Sequence, residues 1–150
     1  MRTAIVFVCL VGALTGERRL DLRVEYIGGT ISQFRVGSEA AMSTADPGQF
    51  QVAMKGSQVE VPYARVNLLE YGQNVNRRLA LAVVISPMFL LSKARKHFLT
   101  VGYQDAEGQQ QAMVFRLDKK NVRAVLASME ARTGLKVQFQ DDEARKAGKG

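Results

Sequence analysis

Tryptophan is absent from this sequence, and cysteine and histidine occur once each. One cysteine cannot form an internal disulfide, and one histidine with one cysteine cannot complete a His/Cys zinc site. Catalysis of the serine–histidine or cysteine–histidine type would have to use His97, the single imidazole. What remains is a chain of 150 residues, 47% apolar and 23% charged, with only 3 prolines. This mix is typical of one globular domain.

Acidic residues are missing from one long stretch of the chain. No Asp or Glu occurs between Glu70 and Asp105, whereas five Lys and Arg residues do. The formal net charge is +7, so this stretch supplies most of it, and acids nearly balance bases elsewhere. A local basic cluster faces anionic lipid or phosphate, or it is simply a solvated surface.

The N-terminus has the layout of an export signal. Arg2 is a minimal positive region, Ala4 to Leu14 is an uncharged apolar run, and small residues follow. This layout predicts a signal peptide over residues 1–16 and an exported protein, periplasmic or secreted. The run is shorter than the roughly 20 residues of a membrane span. The alternative is a buried N-terminal strand at Ile5 to Val11, which would leave the protein cytoplasmic.

Alternating apolar and polar residues predict short antiparallel strands from residue 20 onward. They fall near residues 22–26, 39–44, 50–54, 59–63, 99–103 and 113–117, with turns at 46–48, 55–57 and 105–108. Gly28-Gly29 predicts a break or bulge in the first strand. Pro62 places its strand at an edge or a bend, and the apolar phase shifts to Val66, Leu68 and Leu69, which requires a bulge.

One amphipathic helix follows the strands, over about residues 119–133. Its apolar stripe has helical spacing, Asp118 is a candidate N-cap, and Gly134 stands where a left-handed C-terminal cap is expected. Residues 141–150 have little apolar content and are predicted to be a disordered tail. The predicted fold is mainly β in the α+β class. It is a bent antiparallel sheet or open barrel over residues 20–140, capped by the helix.

Three segments carry a resemblance to a known family. They are VEVPYARVNLLEYG at 59–72, HFLTVGYQDAEGQQQAMVFRL at 97–117 and NVRAVLASMEARTG at 121–134. Together they resemble a pleckstrin-homology-like (PH-like) domain of the bacterial, GRAM-related kind, over most of residues 22–140. The string from VEYIGGT to DDEARK is also similar to a family of small exported bacterial proteins of unknown function. The resemblance implies a binding module and supplies no ligand residues.

The resemblance also raises an expectation about phosphoinositides. Members of the PH-like class that bind them use a basic loop between their first two strands. Here that loop would be residues 28–37, and Arg35 is its only base. This departure argues against binding of inositol phosphates in the usual pocket.

Residues 79–92, LALAVVISPMFLLS, form an uncharged run with bases on both sides. Fourteen residues are too few to span a bilayer, and Pro87 disfavours a straight helix. We therefore predict a helical or hairpin insert at about residues 77–96. An apolar centre with basic shoulders suits insertion into the interface of an anionic membrane. The alternatives are burial across the open face of the sheet, a contact between copies of the chain, or binding of a partner peptide.

The predicted function is a non-catalytic binding or interaction module that contacts an anionic lipid surface or a protein partner. The alternative is a structural homo-oligomer built through residues 79–92. The residues predicted to contact the membrane or partner are Arg77, Arg78, Met88, Phe89, Leu90, Leu91, Lys93, Arg95 and Lys96.

Other candidate chemistry has simpler explanations. His97 begins a strand beside Lys96, whose charge lowers an imidazole pKa, and we predict a surface or packing role for it. Asp141, Asp142 and Glu143 lie in the expected tail, and Gly28-Gly29-Thr30 lacks the phosphate-loop pattern. The bases surround an apolar run and do not interleave with aromatic residues, which disfavours a nucleic-acid partner. We predict no enzymatic activity, no cofactor and no metal site.

Overall fold

The computed structural model describes residues 21–74, 84–85 and 96–149. Within them a 3-10 turn at Tyr63–Arg65 follows the fourth strand, and two helices, α1 (Val122–Thr133) and α2 (Asp142–Lys149), lie near the C-terminus. The strands are β1 (Asp21–Gly29), β2 (Ser38–Ser43), β3 (Gln49–Met54), β4 (Ser57–Pro62), β5 (Val66–Gly72), β6 (Val84–Ile85), β7 (His97–Gln104), β8 (Gln110–Leu117) and β9 (Gln138–Phe139).

The strands form one sheet in the order β4-β3-β2-β1-β8-β7-β5-β9, and β6 pairs with β1 beside this path. The pairs are antiparallel except β5 with β9. In a flat sheet β4 and β5 would lie about 29 Å apart, six strand spacings. The chain joins them by the single turn at residues 63–65, which reaches less than about 15 Å. The sheet is therefore curled.

The concave side of the curled sheet holds the core, and we call it the inner face. Its buried side chains alternate along the strands, as Leu99 and Val101 do in β7 and Met113 and Phe115 in β8. The α1 helix adds its apolar stripe to the same cluster: Val122, Val125, Leu126 and Met129. Among the described strands no ladder joins β4 to β5, so the sheet stays open. The predicted mainly-β α+β class and bent antiparallel sheet are confirmed.

Several elements form where the local sequence signals predict them. Gly108 adopts φ +80° in the β7–β8 hairpin, where Asp105 Oδ1 accepts the backbone N–H groups of Glu107 and Gln109 at 3.0 and 2.8 Å. Pro62 ends β4, which lies at one end of the sheet order. The register shifts between Val66 and Leu68, as the change in apolar phase predicts.

The glycine pair of β1 gives a bulge, and the strand continues through it. The register against β8 shifts between Tyr26 and Gly28. Gly29 adopts a φ of +155°, and a Cβ there would collide with the carbonyl oxygen of Ala112. Glycine is required because the backbones of β1 and β8 approach closely at this point.

The start of α1 differs from the prediction. The N-cap is Asn121, whose side chain makes no capping hydrogen bond. Asp118 instead stabilises the preceding turn: its Oδ1 accepts the Lys120 N–H at 3.2 Å, and its carbonyl accepts the Asn121 N–H at 2.9 Å. The C-terminal cap is as predicted, with Gly134 in the left-handed region at φ +73°.

The C-terminal residues also differ from the expected disordered tail, because Asp142–Lys149 form helix α2. Asp141 Oδ1 accepts the Ala144 N–H at 2.6 Å, which caps the helix start. The small residues Ala144 and Gly148 are buried, and a Cβ at Gly148 would lie 2.6 Å from the Phe139 ring. This contact requires small side chains and not large apolar ones. The low apolar content of residues 141–150 therefore does not reveal that the segment packs against the rest of the protein.

Candidate functional site

Four bases meet at the edge of the sheet where β7 begins and β8 ends. The two strands are antiparallel and His97 pairs with Leu117, so Lys96 lies next to the turn that follows β8. That turn carries Lys119 and Lys120, and Arg123 follows in the first turn of α1. We call these four residues, Lys96, Lys119, Lys120 and Arg123, the basic edge.

The side chains of the basic edge are accessible to large anionic partners. Lys119, Lys120 and Arg123 are exposed and Lys96 is half-buried. Asp118 is the acid within this turn, and its Oδ2 lies 3.4 Å from the Lys120 Nζ. An open groove of about 480 Å³ runs from this turn to α2, lined by Asp118, Lys119, Lys120, Arg123 and Ala147. The edge therefore presents the exposed cationic side chains of Lys119, Lys120 and Arg123 to solvent.

His97 lies behind the basic edge at the rim of the inner core. Its Nδ1 is 2.5 Å from the Tyr71 hydroxyl, and the two rings stack with an interplanar angle of 13°. Burial lowers the pKa of His97, and the charge of Lys119 lowers it further, whereas Asp118 raises it. The predicted direction is therefore the same, but Lys119, not Lys96, is the base that acts. Burial also raises the pKa of Tyr71 to about 12.

A second groove lies beside the first, and its charges are balanced. It has a volume of about 550 Å³ and is bordered by Arg23, Glu25, Glu39 and Arg116 on the convex side of β1, β2 and β8. Arg116 forms an ion pair with Glu25. This groove lacks the excess of one sign that attracts an anion, so the basic edge is the better candidate.

Of the nine residues predicted from the sequence as a contact site, Lys96 is the one that the structure describes. The other eight, Arg77, Arg78, Met88, Phe89, Leu90, Leu91, Lys93 and Arg95, lie outside the described residues, as do the predicted signal peptide at 1–16 and most of the insert at 77–96.

Sequence reasoning missed Lys119, Lys120 and Arg123. The apolar stripe of the helical stretch predicts its buried face and assigns no role to these three bases. The signal was nevertheless present, because a hairpin centred on residues 105–108 must bring residues 96 and 118 together. Arg35, the single base of the β1–β2 loop, is exposed, and its neighbour Phe34 fills the loop from inside against Tyr26 at 5.4 Å between ring centroids.

No protein-family model, curated protein or solved structure matches the chain. Within residues 21–74, 84–85 and 96–149, no helix is both long and apolar enough to cross a membrane. The same described residues hold no group of three or more His, Cys, Asp or Glu side chains that could bind a metal ion. The site must therefore be interpreted from its own chemistry.

Proposed function

We propose that this protein is a non-catalytic interaction module of the PH-like type that associates with anionic membrane surfaces through the basic edge. The observation that carries the proposal is the convergence of Lys96 with Lys119, Lys120 and Arg123 at one edge of the sheet. Bases that are far apart in sequence act on one surface only when the fold brings them together.

The strength of such an interaction is adequate for reversible binding. A base close to an anionic lipid surface contributes about 1 kcal/mol, so the exposed bases Lys119, Lys120 and Arg123 together contribute roughly 2–3 kcal/mol. The bases at 93 and 95 adjoin this edge along the chain, and Arg77 and Arg78 belong to the same acid-free stretch. Because the attraction is electrostatic, it weakens as salt shortens the Debye length.

Two features support the PH-like assignment. The sheet is curled and open, and its later strands β5, β7 and β8 continue it from β1 on the side away from β2 to β4. An amphipathic helix, α1, then packs its buried stripe against the inner core. Both features agree with the architecture that the sequence resemblance implies.

Vesicle co-sedimentation tests the proposal. The full chain is mixed with vesicles of phosphatidylcholine alone or with about 20% phosphatidylserine, in low and high salt. We expect binding to the anionic vesicles only, and weaker binding in high salt. The triple variant Lys119→Glu, Lys120→Glu, Arg123→Glu should bind at least about tenfold more weakly. Acids near the start of α1 are compatible with the helix dipole, so the variant is expected to fold.

A matched control separates the basic edge from net charge. The triple variant Arg35→Glu, Lys55→Glu, Arg65→Glu makes the same change in charge at exposed bases elsewhere. We expect it to lose less than about threefold in binding. Equal losses in both triple variants would contradict the basic edge as the contact. A stable oligomer in buffer that ignores anionic vesicles would instead support the homo-oligomer built through residues 79–92.

A further inference from the structure

Another groove lies between the helices α1 and α2, next to the groove of the basic edge. It has a volume of about 200 Å³, and we call it the helix groove. Arg123 lines both grooves. On the side of α2 the consecutive residues Ala147 and Gly148 line the first groove and the second. The two grooves therefore adjoin at Arg123.

The helix groove has an apolar floor. Leu126 of α1 and Val137 line it and are themselves buried, with exposed fractions of 4% and 7%. The ring of Phe139 is half-buried and lines it as well. Ala127 of α1 and Gly148 of α2 complete the walls, and their small size leaves space between the two helices.

The charged groups of the helix groove leave room for an anion at one end only. Glu130 lines the end away from Arg123, and its Oε1 accepts the Val137 N–H at 2.9 Å. Lys149 also lines the groove, with its Nζ 5.4 Å from the centre of the Phe139 ring. Residues 123 and 130 are seven positions apart in α1, or about 10 Å along the helix. Cations therefore stand at one end of an apolar floor of about that length.

We propose that the two grooves together bind one anionic lipid molecule that has a single acyl chain. Its head group pairs with Lys119, Lys120 and Arg123, and the first part of its chain covers Leu126, Val137 and Phe139. Charge complementarity selects this occupant, because a neutral or cationic amphiphile offers no partner to the bases. An inorganic anion would leave the apolar floor uncovered. The proposal rests on the basic edge of the proposed function and adds that the chain of the ligand is recognised together with its charge.

Titration calorimetry of the full chain tests the proposal with two probes, octyl phosphate below its micelle concentration and inorganic phosphate. We expect octyl phosphate to bind at least about tenfold more tightly, the gain from removing about two methylene groups from water. Octyltrimethylammonium has the same chain and the opposite charge, and it should bind at least about tenfold more weakly than octyl phosphate. Equal affinities for octyl phosphate and inorganic phosphate would overturn the proposal.

Two matched substitutions in α1 locate the chain. Ala127→Phe fills the helix groove, whereas Ala131→Phe places the same ring at another exposed position, one that lines neither groove. Ala127→Phe should weaken the binding of octyl phosphate at least about fivefold and leave the binding of inorganic phosphate unchanged. Ala131→Phe should change both affinities less than about twofold. Equal losses of octyl phosphate binding in the two variants would contradict the helix groove as the site.

Vesicle binding distinguishes this proposal from the membrane association proposed above. A chain that binds octyl phosphate in the helix groove and ignores anionic vesicles would keep the groove site and refute the membrane contact. A chain that binds anionic vesicles and does not prefer octyl phosphate to inorganic phosphate would keep the basic edge and refute the groove site. If Ala127→Phe fails to fold, Ala127→Leu and Ala131→Leu form a milder pair with the same expectations.

Discussion

The inner face of the central strands β1, β8 and β7 and their convex side, which we call the outer face, differ in how their side chains are buried. The inner face is one continuous core, filled from both ends of the curled sheet and by α1. The outer face is apolar toward the β6 end and charged at the other. There the ladder aligns Glu39, Glu25, Arg116 and Phe98 across four strands. One sheet therefore has a closed side and a side of mixed character.

The difference shows how an antiparallel sheet can be buried on both sides over only part of its area. Side chains alternate along a strand, so the inner pattern leaves the outer positions free to be apolar or charged. Val114 pairs with Gly28, which also pairs with β6, whereas Glu25, Glu39 and Arg116 border the groove beside the turn at residues 118–121.

The largest expected effect separates the two faces by a matched pair of truncations. Phe115 is completely buried in the inner core, and Phe98 is 5% exposed on the outer face. We expect Phe115→Ala to lower the free energy of unfolding by about 3–5 kcal/mol, because it leaves a cavity inside close-packed neighbours. Phe98→Ala should cost less, about 2 kcal/mol, because Phe98 lies near the end of β7 opposite Arg116, whose long side chain can settle into the space. Urea denaturation measures the free energy of unfolding of both variants. Equal losses would show that the two faces do not differ in how tightly their side chains are packed.

A smaller effect is expected at the charged end of the outer face, where Glu39, Glu25 and Arg116 lie side by side. Glu25 lies opposite Glu39 in the ladder, and its ion pair with Arg116 offsets that repulsion. We expect Arg116→Met to destabilise the protein by about 1 kcal/mol in low salt. Adding Glu39→Gln should recover part of the loss, because it removes the facing like charge. Denaturation in low and high salt gives the comparison. If adding Glu39→Gln recovers none of the lost stability, the facing carboxylates of Glu25 and Glu39 do not repel each other measurably.

The smallest effect is a pH dependence at the rim of the inner face. The pKa of His97 is lowered from 6.5 by burial, so the unfolded chain binds the proton more readily than the folded one. Stability is therefore complete well above pH 6.5 and falls as the pH drops through that value toward the folded pKa. The slope cannot exceed about 1.4 kcal/mol per pH unit for one proton. His97→Gln should flatten the curve of unfolding free energy between pH 7.5 and 5.5.

Two carboxyl groups make the stability depend on pH in a separate, more acidic range. Hydrogen bonds from Gln111, Gln109 and Glu107 lower the pKa of Asp105, and the backbone of Lys120 lowers that of Asp118, both from 3.8. Their stabilisation is present above that value and is lost as the pH falls below it. A slope between pH 7.5 and 5.5 that survives in His97→Gln would therefore assign the effect to groups other than His97.

Much of the fold is predictable because it depends on local rules. Period-two alternation places the strands, Gly108 and Gly134 mark a turn and a helix end, and Pro62 marks an edge strand. Helix α2 is not predictable in this way. Its burial depends on the close contact between Gly148 and the ring of Phe139. A contact of this kind leaves no periodic pattern in the sequence.

The residues of the candidate site are likewise predictable from the sequence only in part. The acid-free stretch marks Lys96 and its neighbours in the sequence, whereas Lys119, Lys120 and Arg123 look like ordinary helix surface. Only the pairing of His97 with Leu117 joins the two groups. The membrane contact, the export signal and the PH-like family remain predictions.

The sequence by itself determined the strands, the turns and the apolar stripe of α1, because each depends on residues a few positions apart. The tertiary structure alone decided that the sheet curls and that the C-terminus docks as a helix. These outcomes depend on which strands pair and where small residues permit close approach. Such contacts join residues that are distant along the chain, and no local pattern encodes them.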